Sequence, residues 1–163
     1  MTEIVRAVIA MTLALFPVLP ARNLNERSLI VPHDLPNKAC VFVVTFSREA
    51  SREAARWSSA LRREIQPSEA VVFDVAVLED VPRFVRSFVV RQIRGSVPDS
   101  SKDTFLVATD HEREWKELVG FAEGNDAHVV AINGRRQTVW RAHGKFEANK
   151  LITLLSAVRK QNR

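Results

Sequence analysis

Hydrophobic residues are arranged along this chain in two ways: continuous short runs, and positions that recur every three or four residues. The continuous runs are 39–46, 70–77, 104–108 and 127–132. Runs of this length, rich in Val and Phe, predict strands buried on both faces, as in a sheet covered by helices on each side. A shorter run, Ser28-Leu29-Ile30-Val31, predicts a strand stopped by Pro32. Pro32 and Pro36 bracket a turn at His33-Asp34-Leu35.

The periodic segments predict four helices. In 49–64 the apolar positions are Ala50, Ala54, Trp57 and Leu61, continuing to Ile65, with Ser47 as the expected N-cap and Glu49 in the first turn. In 82–94, Asp80 caps, Pro82 opens and Gly95 ends the helix. Here Phe84, Val85, Phe88, Val89 and Ile93 fill one half of the helical wheel, and Arg83, Arg86, Arg91 and Arg94 the other. This split predicts a buried apolar face and a solvent-facing arginine face. Helices are also expected at 111–121 and 147–160, the latter with Ala148, Leu151, Ile152, Leu155 and Val158 on one face. Between 127–132 and 137–143 stands Asn133-Gly134-Arg135-Arg136, and Asn-Gly between two β-like runs is a strong hairpin signal.

Strand 39–46, helix 49–64 and strand 70–77 form a βαβ unit, which a right-handed crossover satisfies. The full order is β, βαβ, α, βα, β-hairpin, α. This α/β order resembles the thioredoxin-like arrangement, a mixed central sheet flanked by helices. The strand-helix pair at 104–121 resembles the insertion of peroxiredoxin-like members.

The first residues stand apart. Residues 7–19 are almost wholly apolar, broken by Pro17 and closed by Pro20-Ala21. The expectation is a secretory signal peptide over 1–21, an exported or periplasmic protein, and one domain over 22–163. An uncleaved membrane anchor and an N-terminal helix are the alternatives. The run is short for a transmembrane helix, which needs about 20 apolar residues.

Composition narrows the chemistry. The 163 residues suit one domain with a full core, at 46% hydrophobic and 26% charged. Net charge is +5 and the pI is near 10.0, which favours acidic partners or anionic surfaces. The single cysteine, Cys40, excludes an internal disulfide, a two-cysteine redox cycle and a multi-cysteine metal site. No two of the four histidines, His33, His111, His128 and His143, stand at H-x-x-x-H spacing. No metal or cofactor is expected.

A more specific likeness lies between about Val71 and Leu155. Its residues are the strand-acid junction Val77-Leu78-Glu79-Asp80, the long helix ending near Arg94, and Asp110 with Glu114 and Leu118 downstream. The hairpin Asn133-Gly134 then exits through Val139-Trp140-Arg141-Ala142-His143-Gly144. This stretch resembles the assembly chaperones of the mitochondrial ATP synthase membrane subunit and their bacterial relatives. The resemblance implies a thioredoxin-like fold without redox cysteines and a role in binding protein partners.

Four features are candidate sites. The turn Ser47-Arg48-Glu49-Ala50 lies where redox-active relatives carry Cys-x-x-Cys. It reads as a helix cap, or as an anion or peptide site at a helix N-terminus with Arg48 adding charge. Cys40, seven residues earlier, reads as a small buried hydrophobe, or as the nucleophile of a thiol-dependent oxidoreductase or peroxidase. His128 follows Asp126-Ala127, where relatives place a cis-proline. A trans peptide is expected there, with His128 structural or binding. The arginines 83, 86, 91 and 94 form a solvated face, or contact anionic lipid headgroups or an acidic partner. Nucleic acid fits poorly, because no aromatic platform is interleaved with these arginines. The function expected is a non-redox, protein-binding assembly factor or chaperone. A Cys40-dependent enzyme and a membrane-surface adaptor using helix 82–94 are the alternatives.

Overall fold

The computed structural model describes residues 17–162. Seven strands form one sheet: β1 (Leu19–Asn23), β2 (Ser28–Val31), β3 (Ala39–Thr45), β4 (Ala70–Val77), β5 (Phe105–Ala108), β6 (His128–Ile132) and β7 (Thr138–His143). Their spatial order is β2-β1-β5-β4-β3-β6-β7. The three inner strands β3, β4 and β5 are parallel, and the strands outside them pair antiparallel. Among the described residues four α-helices flank the sheet: α1 (Ser51–Glu64), α2 (Arg83–Ser96), α3 (Glu112–Val119) and α4 (Ala148–Gln161). This is the mixed, helix-flanked sheet that the sequence predicts, with β5 and α3 as the added strand-helix pair.

Alternation along each strand divides the interior into two layers. Phe42, Phe73, Val75 and Leu106 point to the layer closed by Trp115 and Leu118 of α3. Val41, Val43, Val72 and Val129 point the other way, against Trp57 and Leu61 of α1 and Leu154 of α4. Farther along this second face, Ala76 and Val107 pack beneath Val89, Val90 and Ile93 of α2. The hairpin forms as expected, with the Asn133 side chain accepting from the Arg135 and Gln137 amides.

Asp80 does not cap α2, whose N-cap is Pro82 and which runs through Gly95 to Ser96, and Ile152 of α4 is exposed. Three departures from the sequence reading are larger. First, β1 falls where a leader was expected. Residues 1–16 lie outside the described residues, but the expected leader end at Ala21 falls inside this strand. Leu19 pairs with Val31 and is fully buried. Second, α1 begins at Ser51 with Ala50 at its N-cap and no side-chain cap. Ser47 is therefore not the cap. Glu53 takes the first-turn place expected for Glu49. Third, α2 is turned away from its expected orientation. Phe84 and Phe88 are 86% and 57% exposed, and no residue of the helix is fully buried. Two of the four arginines instead tie the helix down. Arg86 donates to the carbonyls of Val81 and Glu79, both at 2.8 Å, and Arg94 donates to the Leu24 carbonyl at 3.0 Å. The reason is hydrogen-bond demand. Carbonyls in the turns after β4 and β1 have no ladder partner, and a guanidinium supplies several donors at once.

The buried Leu19 yields a direct test of β1. Leu19→Ala should cost about 2–5 kcal/mol of stability, read by denaturant unfolding. Unchanged stability would mean that β1 is not part of the folded sheet.

Candidate functional site

The loop between β3 and α1 brings Ser47, Arg48 and Glu49 to the end of the sheet, as the βαβ order requires. Ser47 is half-buried, and its hydroxyl donates to the Gly124 carbonyl at 2.7 Å. It also accepts a weak bond from the Ala50 amide at 3.4 Å. The hydroxyl therefore ties this loop to the loop before β6. The Arg48 carbonyl accepts the Ser51 hydroxyl at 2.6 Å, while the side chains of Arg48 and Glu49 are exposed.

His128 lies near this junction but is not available as a base for Ser47. It is fully buried. Its Nε2 accepts from the Ala122 amide at 3.1 Å, and its Nδ1 faces the Asp126 carbonyl at 3.2 Å. That pair fixes a neutral ring with the proton on Nδ1. The ring stacks on Phe121 at 5.3 Å and meets Phe46 edge-on at 5.6 Å. Burial holds its pKa below the ordinary histidine range, and the neighbouring His143 adds to this. Among the described residues the only cis peptide is Val31-Pro32, so Ala127-His128 is trans, as expected.

Cys40 is fully buried in β3. Burial pushes its thiol up to about 11, although Arg136 and Lys38 pull the other way. At neutral pH that leaves about one thiolate in ten thousand, and the thiolate is the nucleophile. Six residues of strand and turn separate Cys40 from Ser47, a path of roughly 20 Å at strand rise. Among the described residues no group of His, Cys, Asp and Glu could hold a metal ion.

A second feature is a groove of about 490 Å³ over β4, between α1 and α2. Ala54, Ala55, Ile93, Val97 and Phe105 give it apolar surface. Its floor carries an ion pair that sequence reading missed. Asp74 stands on the inner side of β4, where Arg62 of α1 meets its carboxylate at 2.8 Å. The Ser58 hydroxyl donates to the same oxygen at 3.0 Å, and Arg62 Nε donates to Ser58 at 3.1 Å. The Asp74 side chain is 16% exposed. Burial raises its pKa, against the lowering effect of Arg62 and Ser58. The available signal was one acid in an otherwise apolar strand run. The four expected arginines do not form one site: Arg83 and Arg91 are exposed, whereas Arg86 and Arg94 are half-buried anchors.

No protein-family model and no curated protein sequence matches the chain. Solved structures do. The exposed lipoprotein thioredoxin of Streptococcus pneumoniae is similar with a TM-score of 0.61 at 13% identity, over 86% of this chain and 98% of that one. BsSco, of the Sco family of cytochrome c oxidase assembly proteins, gives 0.58 at 9% identity, over 90% and 92%. A thiol:disulfide interchange protein of Chlorobium tepidum gives 0.54 at 9% identity, over 88% and 95%. Likeness at these identities establishes the thioredoxin-like fold. It does not single out the ATP synthase assembly chaperones.

Two outcomes follow from this geometry. Purified protein should reduce insulin disulfides or hydrogen peroxide no faster than its Cys40→Ser variant, and a Cys40-dependent turnover would restore the thiol enzyme. For His128, the unfolded chain takes up the proton first as pH falls, because the folded pKa is the lower one. Its contribution is complete above about pH 6.5 and drains below that, toward the folded pKa. His128→Phe should lose about 1–3 kcal/mol at pH 7.5, since the Ala122 amide loses its acceptor. Its melting temperature should also fall less than wild type between pH 7 and pH 5. An equally steep fall would place the titrating group elsewhere.

Proposed function

We propose that this chain is a non-redox, thioredoxin-like binding domain that holds a segment of a partner protein, in the manner of an assembly factor or chaperone. The observation that carries the reading is the groove between α1 and α2. Its walls are apolar, and its floor presents the fixed Arg62–Asp74 pair. An apolar surface with a few oriented polar groups is the usual character of a binding cleft. An extended segment would bury its side chains on Ala55, Ile93 and Val97, and its backbone amides would find hydrogen-bonding groups below. The resemblance of 71–155 to assembly chaperones supports the same reading. The apolar pattern of residues 7–19 supports an exported location.

The thiol-enzyme alternative is disfavoured by the position of its only sulfur. Cys40 is fully buried with its thiol pushed up to about 11, and it lies near the start of β3 rather than at the α1 N-terminus.

The test is site-specific crosslinking in the native host. A photoreactive residue at Ala55, on the rim of the groove, should capture a discrete partner protein. The same probe at the exposed Arg135, on the hairpin tip, should not. Identical products from the two positions, or none from Ala55, would remove the groove from the function.

A further inference from the structure

The outward face of α2 is a second surface, separate from the groove. Phe84 and Phe88 lie one helical turn apart and are the two most exposed aromatic side chains among the described residues, at 86% and 57%. Arg91 follows Phe88 by three residues on the same side of the helix, and Arg83 precedes Phe84. Both arginines are exposed and make no ion pair among the described residues. Large apolar side chains standing free beside unpaired cations are unusual on a soluble surface, where they mark an interaction site. Next to Gly95, on the same side of the helix, nothing lies within 4 Å of where a Cβ would be.

We infer that this face docks the protein on an anionic membrane surface, with Phe84 and Phe88 entering the headgroup–acyl boundary and Arg83 and Arg91 binding lipid phosphates. Charge selects this occupant: the chain carries +5, and an anionic leaflet attracts each nearby arginine. Chain direction agrees with it. The apolar stretch 7–16 precedes β1, and Pro20 and Ala21 of β1 line one cleft with Ser87, Val90 and Arg91 of α2. The first strand of the described fold therefore runs alongside the helix that carries the phenylalanines. Stable membrane attachment generally takes two weak signals together, and this face would be the second of them. Arg86 and Arg94 take no part, because both are engaged with backbone carbonyls.

The experiment uses the full chain and vesicles of phosphatidylcholine, alone or mixed with phosphatidylglycerol. Wild type should sediment with the anionic vesicles and bind the neutral ones at least tenfold more weakly. Phe84→Ser/Phe88→Ser should weaken anionic binding at least tenfold with an unchanged melting temperature, since both side chains are exposed. Arg83→Gln/Arg91→Gln should weaken it roughly tenfold or more at low salt, and the difference should shrink as salt rises. Arg86→Gln should lower the melting temperature instead. Independently, Phe84→Cys carries an environment-sensitive fluorophore, since the buried Cys40 will not compete for it. Its emission should shift to the blue on adding anionic vesicles. A double-serine variant that sediments like wild type would overturn the inference. So would an unshifted fluorophore, in which case the upstream residues or a protein partner do the docking. A fluorophore already blue-shifted without lipid would show that the chain covers this face itself, and would overturn the inference equally.

Discussion

The parallel pairing of β3 with β4 constrains everything else in the molecule. Seven positions are in register, from Ala39 opposite Ala70 to Thr45 opposite Ala76. Helices cover both faces of this pair, so its backbone must be satisfied inside the sheet and its side chains must be apolar or paired. One consequence concerns Cys40, which is sealed near the start of β3 with its thiol held protonated. Another is positional. The loop at Ser47 emerges at the end of the sheet beside the loop before β6, and the two are stitched together by a hydroxyl and a carbonyl. That junction, where the sequence reading placed the turn without a Cys-x-x-Cys, is filled by hydrogen bonds and an aromatic stack around a neutral histidine.

Asp74 is the one exception to the apolar rule along β4, and its surroundings show how the exception is tolerated. A carboxylate placed there loses most of its water. Arg62 and Ser58 replace part of that solvation from the facing helix. Pairs of this kind seldom add net stability, because desolvation offsets much of the attraction. Two apolar side chains of similar volume would hold α1 against β4 about as well. What the ion pair adds is a fixed set of hydrogen-bonding groups at the bottom of an otherwise apolar groove, which is why the groove rather than the Ser47 loop carries the proposed function.

Helix α2 shows how tertiary demand overrides an amphipathic pattern. Its apolar residues span more of the wheel than one contact face can take. The sheet beneath it, at Ala76 and Val107, accepts the slimmer Val89, Val90 and Ile93. The unpaired carbonyls at Glu79, Val81 and Leu24 accept Arg86 and Arg94. These two requirements set the rotation of the helix together, and they leave both phenylalanines outside. The groove and the phenylalanine face are then the two sides of the same helix, so a partner in the groove and a surface beneath α2 would be held in a fixed relation.

Strands β2 to β6, the four helices and the hairpin were legible along the chain nearly to the residue. Continuous and periodic apolar patterns report local burial directly, and they set the order of elements along the chain. The same reading identified Cys40 as sulfur outside any redox motif and the Ala127-His128 peptide as trans. Tertiary contacts settled the rest. Leu19 to Ala21 read as the end of an apolar leader because their role in a strand depends on β2, which lies elsewhere in the chain. Ser47 resembles a cap in sequence, yet its hydroxyl is claimed by Gly124, 77 residues away. Asp74 was visible but mute, since its meaning depends on Arg62 lying across from it. The four arginines look alike on a helical wheel, and only the carbonyls around α2 divide them into two that anchor and two that remain free. In each case the deciding partner lies outside the element being read, from five residues away at Val81 to 77 at Gly124, and a pattern read along one element holds no record of which groups outside it still need a hydrogen bond.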